Sequence, residues 1–133
     1  MNHRRKRTQF RAQNGQTMTE FALVLPLLAL LLFGVIQFGI AFNNYITLTD
    51  AVRAGARKGA VARHLKDPEK SVDTAVRAAA TDLKSSDLQV EVESTWEPGE
   101  DVRVGASYPY SINLLGVVVK SGRMTSETTE RVN

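Results

Sequence analysis

Hydrophobic and polar positions divide this chain into stretches of different period. Residues 21–49 contain no charged side chain, and Gln37 is the one clearly polar member of residues 21–42. Such a run exceeds the ~18–20 apolar residues needed to cross a bilayer core. As a helix, residues 21–42 are about 33 Å long, enough to span with slight tilt. Pro26 lies near its start, where a helix tolerates proline better than at its centre. Beyond the run, Tyr45, Leu48, Val52, Gly55, Gly59 and Ala62 recur at spacings of three and four, while Asp50, Arg53 and Arg57 take another face. The helix is therefore expected to continue until Asp67-Pro68 breaks it.

A second helix is expected from Pro68 or Glu69, with Val72, Val76, Ala79 and Leu83 as its apolar stripe and an end near Ser85-Ser86-Asp87. The period then changes to two. Leu88, Val90, Val92 and Trp96 alternate with Gln89, Glu91 and Glu93, and Glu97-Pro98-Gly99-Glu100 reads as a type II turn. A partner strand follows with Val102, Val104, Ala106, Tyr108 and Tyr110 on one side, which is a hairpin pattern. Pro109 lacks a donor N–H and points to an edge or to the strand's end. Residues 114–119 form a second apolar patch, expected to be a loop or short strand packed on the helices, and residues 122–132 are expected to add a third strand in which Met124 and Val132 share parity. The fold class is α+β: a long N-terminal transmembrane helix continuing into a small outer domain with a second helix and an antiparallel sheet. That domain is short for independent stability, so the long helix should contribute to its core.

Charge gives the span a direction. The chain has 133 residues, no cysteine and a net charge of +3. Arg4, Arg5, Lys6, Arg7 and Arg11 stand in the first fifteen residues with no acid among them, so the remainder carries −2. The basic flank precedes the span, and only Arg53, Arg57 and Lys58 follow it closely, which places the N-terminus in the cytoplasm and the C-terminal domain outside the cell membrane. The basic opening then reads as a topology signal, and no nucleic-acid partner is expected. An ordinary signal peptide fits poorly: the apolar stretch is too long and Glu20 stands at its head, although Gly39 and Ala41 have small-x-small spacing. Without cysteine, thiolate metal sites and disulfides are excluded.

A carboxylate at the head of an apolar span is costly unless neutralised or paired, so Glu20 needs an explanation. Thr17 and Glu20 have capping-box spacing, and an acid there would meet the positive end of the helix dipole. The junction Asn14-Gly15-Gln16-Thr17-Met18-Thr19-Glu20-Phe21 also resembles a prepilin-type leader: a basic stretch ending in glycine, a glutamate five residues beyond, then a long apolar helix. Residues 18–28, residues 32–39 and Ala51-Val52-Arg53-Ala54-Gly55-Ala56-Arg57 together resemble the TadE-like minor pilins or pseudopilins of tight-adherence (Flp-type) pilus systems. Members of that family often carry Glu where this chain has Gln37 and Ala54, so no charge-dependent role transfers to those positions.

The resemblance implies a leader at residues 1–15, cleavage between Gly15 and Gln16 by a prepilin peptidase, an assembly helix over residues 16–43 and an extracytoplasmic domain over residues 44–133. It implies that Glu20 pairs with the new amine of a neighbouring subunit, and that the partners are other pilin-like subunits, the assembly platform in the membrane and the lipid bilayer. An ion pair among apolar helices would fix register, because an uncompensated buried carboxylate is strongly unfavourable. Gly34, Gly39, Gly55 and Gly59 are candidate helix-packing positions; Gly55-x-x-x-Gly59 allows close approach, preferably of the domain's own elements and otherwise of another subunit.

No catalytic constellation is recognisable. His3 lies in the basic opening and His64 is expected on a solvated helix face, there is no nucleophile elbow or phosphate loop, and no cofactor is expected. Glu91, Glu93, Glu97, Glu100 and Asp101 cluster around the hairpin, but their spacing follows no cation-binding loop, so they are expected to be solvated and no metal is assigned. The expected function is a non-enzymatic minor pilin or pseudopilin in pilus assembly, secretion or adhesion. The alternative is an uncleaved single-pass anchor displaying a binding or sensing domain.

Overall fold

The computed structural model describes residues 6–133, and side-chain surroundings from residue 13 onward. Arg4 and Arg5 lie outside the described residues. Five elements follow in order: α1 (Lys6–Ala60), α2 (Pro68–Ala79), β1 (Gln89–Glu93), β2 (Asp101–Leu114) and β3 (Val117–Arg131). The strands form one antiparallel sheet in the order β1-β2-β3. The fold is α+β, with a long apolar helix, a short helix and a three-stranded sheet.

The core lies where the C-terminal part of α1, the inner face of α2 and the inner face of β2 meet. Leu48, Ala51, Val52 and Ala56 come from α1, Val72 and Val76 from α2, and Val102, Val104, Ala106 and Tyr108 from β2. Ala80, Leu83 and Leu88 close it from the segment between α2 and β1, and Val132 closes it beyond β3. The alternation expected along β2 is the observed one, with Val102, Val104, Ala106 and Tyr108 buried.

Both helices end earlier than their stripes predict. α1 stops at Ala60, not at Asp67, and residues beyond it turn back through short bonds from Val61 N–H to the Lys58 carbonyl and from Ala62 N–H to the Gly59 carbonyl. Asn133 N–H donates to the Ala60 carbonyl at 2.9 Å, so a strand end satisfies a helix end. His64 thus lies in the connection to α2, with its Nε2 accepting from Arg63. α2 stops at Ala79, so Leu83 reaches the core from a turn. Arg77 fixes that turn, pairing with Asp73 at 3.0 Å and donating to the Ser85 and Leu88 carbonyls. At its other end α2 is capped by Asp67, whose Oδ1 accepts from Lys70 N–H at 3.0 Å, with Pro68 in the first turn.

The β1–β2 connection contains the expected turn: Glu100 N–H donates to the Glu97 carbonyl and Gly99 has φ +86°. Pro109 stands well inside β2, which runs on to Leu114. β1 pairs only as far as Ser107, so beyond it that side of β2 is an edge and tolerates a missing N–H. Arg123 closes the step where β1 ends, donating to Ser107 and to the Asp87 carbonyl.

Residues 114–119 correct the expectation of a patch packed on the helices. They are the tip of a β2–β3 hairpin, with Leu114 paired to Val117 across Leu115 and Gly116. Leu115 (φ +51°) and Gly116 (φ +87°) give the two positive φ values of a type I′ turn. A leucine there strains the backbone by on the order of 1 kcal/mol or more. The expected short strand is present, but its packing on the helices is not: a segment apolar at every position carries no alternation to show which face is covered.

Candidate functional site

The head of the apolar helix is the site the sequence singles out, and there α1 runs without a break through Gly15 and Gln16. Thr17 is not a helix cap: its hydroxyl donates to the Gln13 carbonyl one turn back, as the Thr19 hydroxyl does to the Gly15 carbonyl. The capping box is therefore absent, because its residues lie in the helix interior. Glu20 is exposed, and its Oε1 accepts from Gln16 Nε2 at 3.0 Å. Side chains lean toward the helix N-terminus, which puts the Glu20 carboxylate over the turn that begins at Gln16. No ion pair reaches Glu20 among the described residues. Its carboxylate and the Gln16 backbone are thus one turn apart, on a surface with free space around Gly15.

From Met18 to Phe42 the large apolar side chains are all exposed, Leu23 by 75% and Phe38 by 67%. Protein atoms in this structure cover none of the span's side chains fully, and Phe38 stacks on Phe42 with ring centroids 6.2 Å apart. A helix of this length and composition, with its leucines and phenylalanines unburied, is suited to lipid.

The four candidate packing glycines fall into two pairs. At Gly34 and Gly39 a Cβ would meet no other group within 4 Å. Gly55 and Gly59 face the domain: a Cβ on Gly55 would collide with Val76, and one on Gly59 would lie 2.9 Å from Val102 Cγ2. The second pair thus lets α2 and β2 approach the α1 backbone. On the outer sheet face Arg103 stands between Glu93 (3.8 Å) and Glu127 (3.3 Å), which compensates part of the acidic cluster. Among the described residues no group of three His, Asp or Glu side chains is arranged to hold a metal ion.

Two features escape the sequence reading. One is a shallow groove just beyond the span, lined by Phe42, Tyr45, Ile46, Thr49, Asp50 and Arg53; the Thr49 hydroxyl beside it is buried with no hydrogen-bond partner among the described residues. The other is the exposed apolar tip of the β2–β3 hairpin.

Residues 15–57 match the family described as TadE-like protein. Over these residues the chain is similar to that family. The match begins at Gly15, takes in Glu20 and the whole apolar span, and ends at Arg57 within the packed part of α1. It covers about a third of the chain, and α2 and the sheet lie outside it. No curated protein and no solved structure matches the chain. The matched residues contain the apolar run of α1, which is long and apolar enough to cross a membrane.

Proposed function

We propose that this protein is a minor pilin or pseudopilin of a tight-adherence pilus, inserted with its N-terminus in the cytoplasm, cut after Gly15 by a prepilin peptidase and assembled through its apolar helix with other pilin-like subunits and the membrane platform. The observation that carries this reading is the placement of Glu20 one helical turn from Gln16 at the head of an apolar stretch of α1 whose large side chains, from Met18 to Phe42, are all bare. Cleavage after Gly15 would turn the Gln16 nitrogen into an amine, and the Glu20 carboxylate of an adjacent copy would then find a cation at the same depth in the membrane. Coulomb attraction is strongest where water is excluded, so the pair would set the stagger between neighbouring helices. A protease needs an extended segment, so the turns around Gly15 would unwind in its cleft, and glycine offers little resistance to that. The domain would project from the assembly to act in assembly, secretion or adhesion.

The mass of the protein isolated from membranes tests processing. A chain beginning at Gln16, and an intact one when Gly15→Val is introduced, are expected; a wild-type chain retaining residues 1–15 overturns the proposal. Glu20→Ala is expected to preserve the fold and abolish co-purification with partner subunits, whereas undiminished co-purification rejects the pairing. The continuous helix through Gly15 supports a second reading, an uncleaved anchor displaying the outer domain, which predicts the intact mass in both cases.

A further inference from the structure

We propose that the tip of the β2–β3 hairpin, residues 114–119, is a second membrane contact that rests in the boundary between headgroups and acyl chains on the side of the bilayer where the domain lies. The inference builds on the membrane anchorage of α1 and adds a lipid-binding site remote from it in sequence.

Direction is the first observation. Gly59 of α1 lies against Val102 and Gly55 against Val104, so each step forward along β2 is a step back along α1 toward the apolar span. Leu48, nearer still to the span, shares the core with Tyr108. Beyond Ser107 β1 no longer accompanies β2, and the hairpin continues as a two-stranded ribbon. From Val104 to Leu115 β2 advances about 36 Å, whereas α1 rises about 20 Å from Phe42 to Gly55. Even a tilt of about 55° between them therefore leaves the tip level with Phe42, where the apolar span ends.

Chemistry is the second. Leu115, Val117, Val118 and Val119 are 57–66% exposed. Successive strand residues point to opposite faces, so this valine run makes the tip apolar on both sides, a pattern suited to apolar surroundings rather than to water. Val119 has no partner on β2, because the register shifts between Ile112 and Asn113, and the bulge leaves it free of the ladder. Immediately behind the tip stand Lys120 and Tyr110, the latter with its ring over Gly122. A lysine and a tyrosine at that depth are suited to the phosphate and carbonyl layer of a bilayer.

Backbone hydrogen bonding limits the depth. Both outer edges of the ribbon carry unpaired N–H and carbonyl groups, which hydrocarbon cannot satisfy, so the tip belongs in the hydrated boundary and not in the bilayer centre. The two contacts together would hold the domain at a fixed tilt over the membrane.

The absence of cysteine makes the test direct. The full chain is reconstituted into phosphatidylcholine–phosphatidylglycerol vesicles with a polarity-sensitive fluorophore on Val118→Cys, on Glu100→Cys in the turn at the far end of β2, or on Leu31→Cys in the span. The Val118→Cys label is expected to emit blue-shifted, to resist quenching by aqueous iodide and to be quenched by lipids brominated on the acyl chains; the Glu100→Cys label is expected to do the reverse. Iodide access at Val118→Cys equal to that at Glu100→Cys overturns the inference. So does a label shielded from iodide yet untouched by brominated lipid, which would assign the tip to a protein partner. If the Leu31→Cys label also escapes brominated lipid, the anchorage itself fails; if it alone is quenched, only the tip contact does.

Discussion

The two successive halves of α1 from Met18 onward both use apolar side chains, the first all round and the second on one face, yet they solve opposite problems. Between Met18 and Phe42 the side chains are large and bare. Between Leu48 and Ala60 the buried positions are mostly small, with Ala51, Ala56, Ala60, Gly55 and Gly59 accompanying Leu48 and Val52. Nothing of the outer domain lies opposite the first half, so the fold of a single chain asks no fit of it and accommodates bulk. Protein neighbours are rigid, so the second half is shaped to admit Val72, Val76, Val102 and Val104 close to its backbone. Side-chain size along one helix thus records which solvent each turn meets.

The largest test of this contrast is steric. Gly55→Val inserts three carbons where even a Cβ meets Val76, and is expected to lower the unfolding free energy of the outer domain by about 3 kcal/mol. Gly34→Val, with open space around it, is expected to leave the thermal midpoint of the detergent-solubilised chain unchanged; equal loss in both variants would erase the distinction. Removing bulk sharpens the same comparison. Val76→Ala should cost about 2 kcal/mol through the cavity it leaves, whereas Leu31→Ala, 65% exposed, should leave denaturant midpoints where they are.

Thr49 marks the border between the halves, and its hydroxyl is buried with no hydrogen-bond partner among the described residues. Thr49→Val is expected to stabilise the domain by about 1 kcal/mol in thermal unfolding, because the shape is kept and an unsatisfied polar group is lost. A destabilised variant would show that the hydroxyl is hydrogen-bonded within the folded domain, by water or by protein. The smallest effect belongs to the outer sheet face. Arg103→Ala breaks two exposed pairs, with Glu93 and Glu127, and should cost less than about 1 kcal/mol, a difference that vanishes in concentrated salt.

In the middle of each element the period led to the right structure. Val72 and Val76 place α2, Val102 to Tyr108 place the inner face of β2, and Gly99 places the turn before it. Helix ends were less legible: nothing around Ala60 differs in pattern from the turns before it, and the bond from Asn133 that meets its carbonyl joins residues far apart in the chain. Leu83 kept helical spacing while lying in a turn, because the core accepts an apolar side chain from any backbone. At the candidate site, residue type and spacing single out Gly15, Gln16 and Glu20, and the helix sets Gln16 and Glu20 one turn apart; Thr17 as a cap was not sustained, since the helix begins well before it.

By itself the sequence determined an apolar helix long enough to cross a membrane, the likeness to TadE-like proteins around Glu20 and the α+β class, because length, charge and period act locally and need no partner. Tertiary structure decided the rest. It sorted the glycines, leaving Gly34 and Gly39 open and setting Gly55 and Gly59 against α2 and β2, and it turned the apolar residues 114–119 into a projecting tip. Those outcomes depend on which surfaces meet across the fold, and identical side chains are buried or bare according to what lies opposite them.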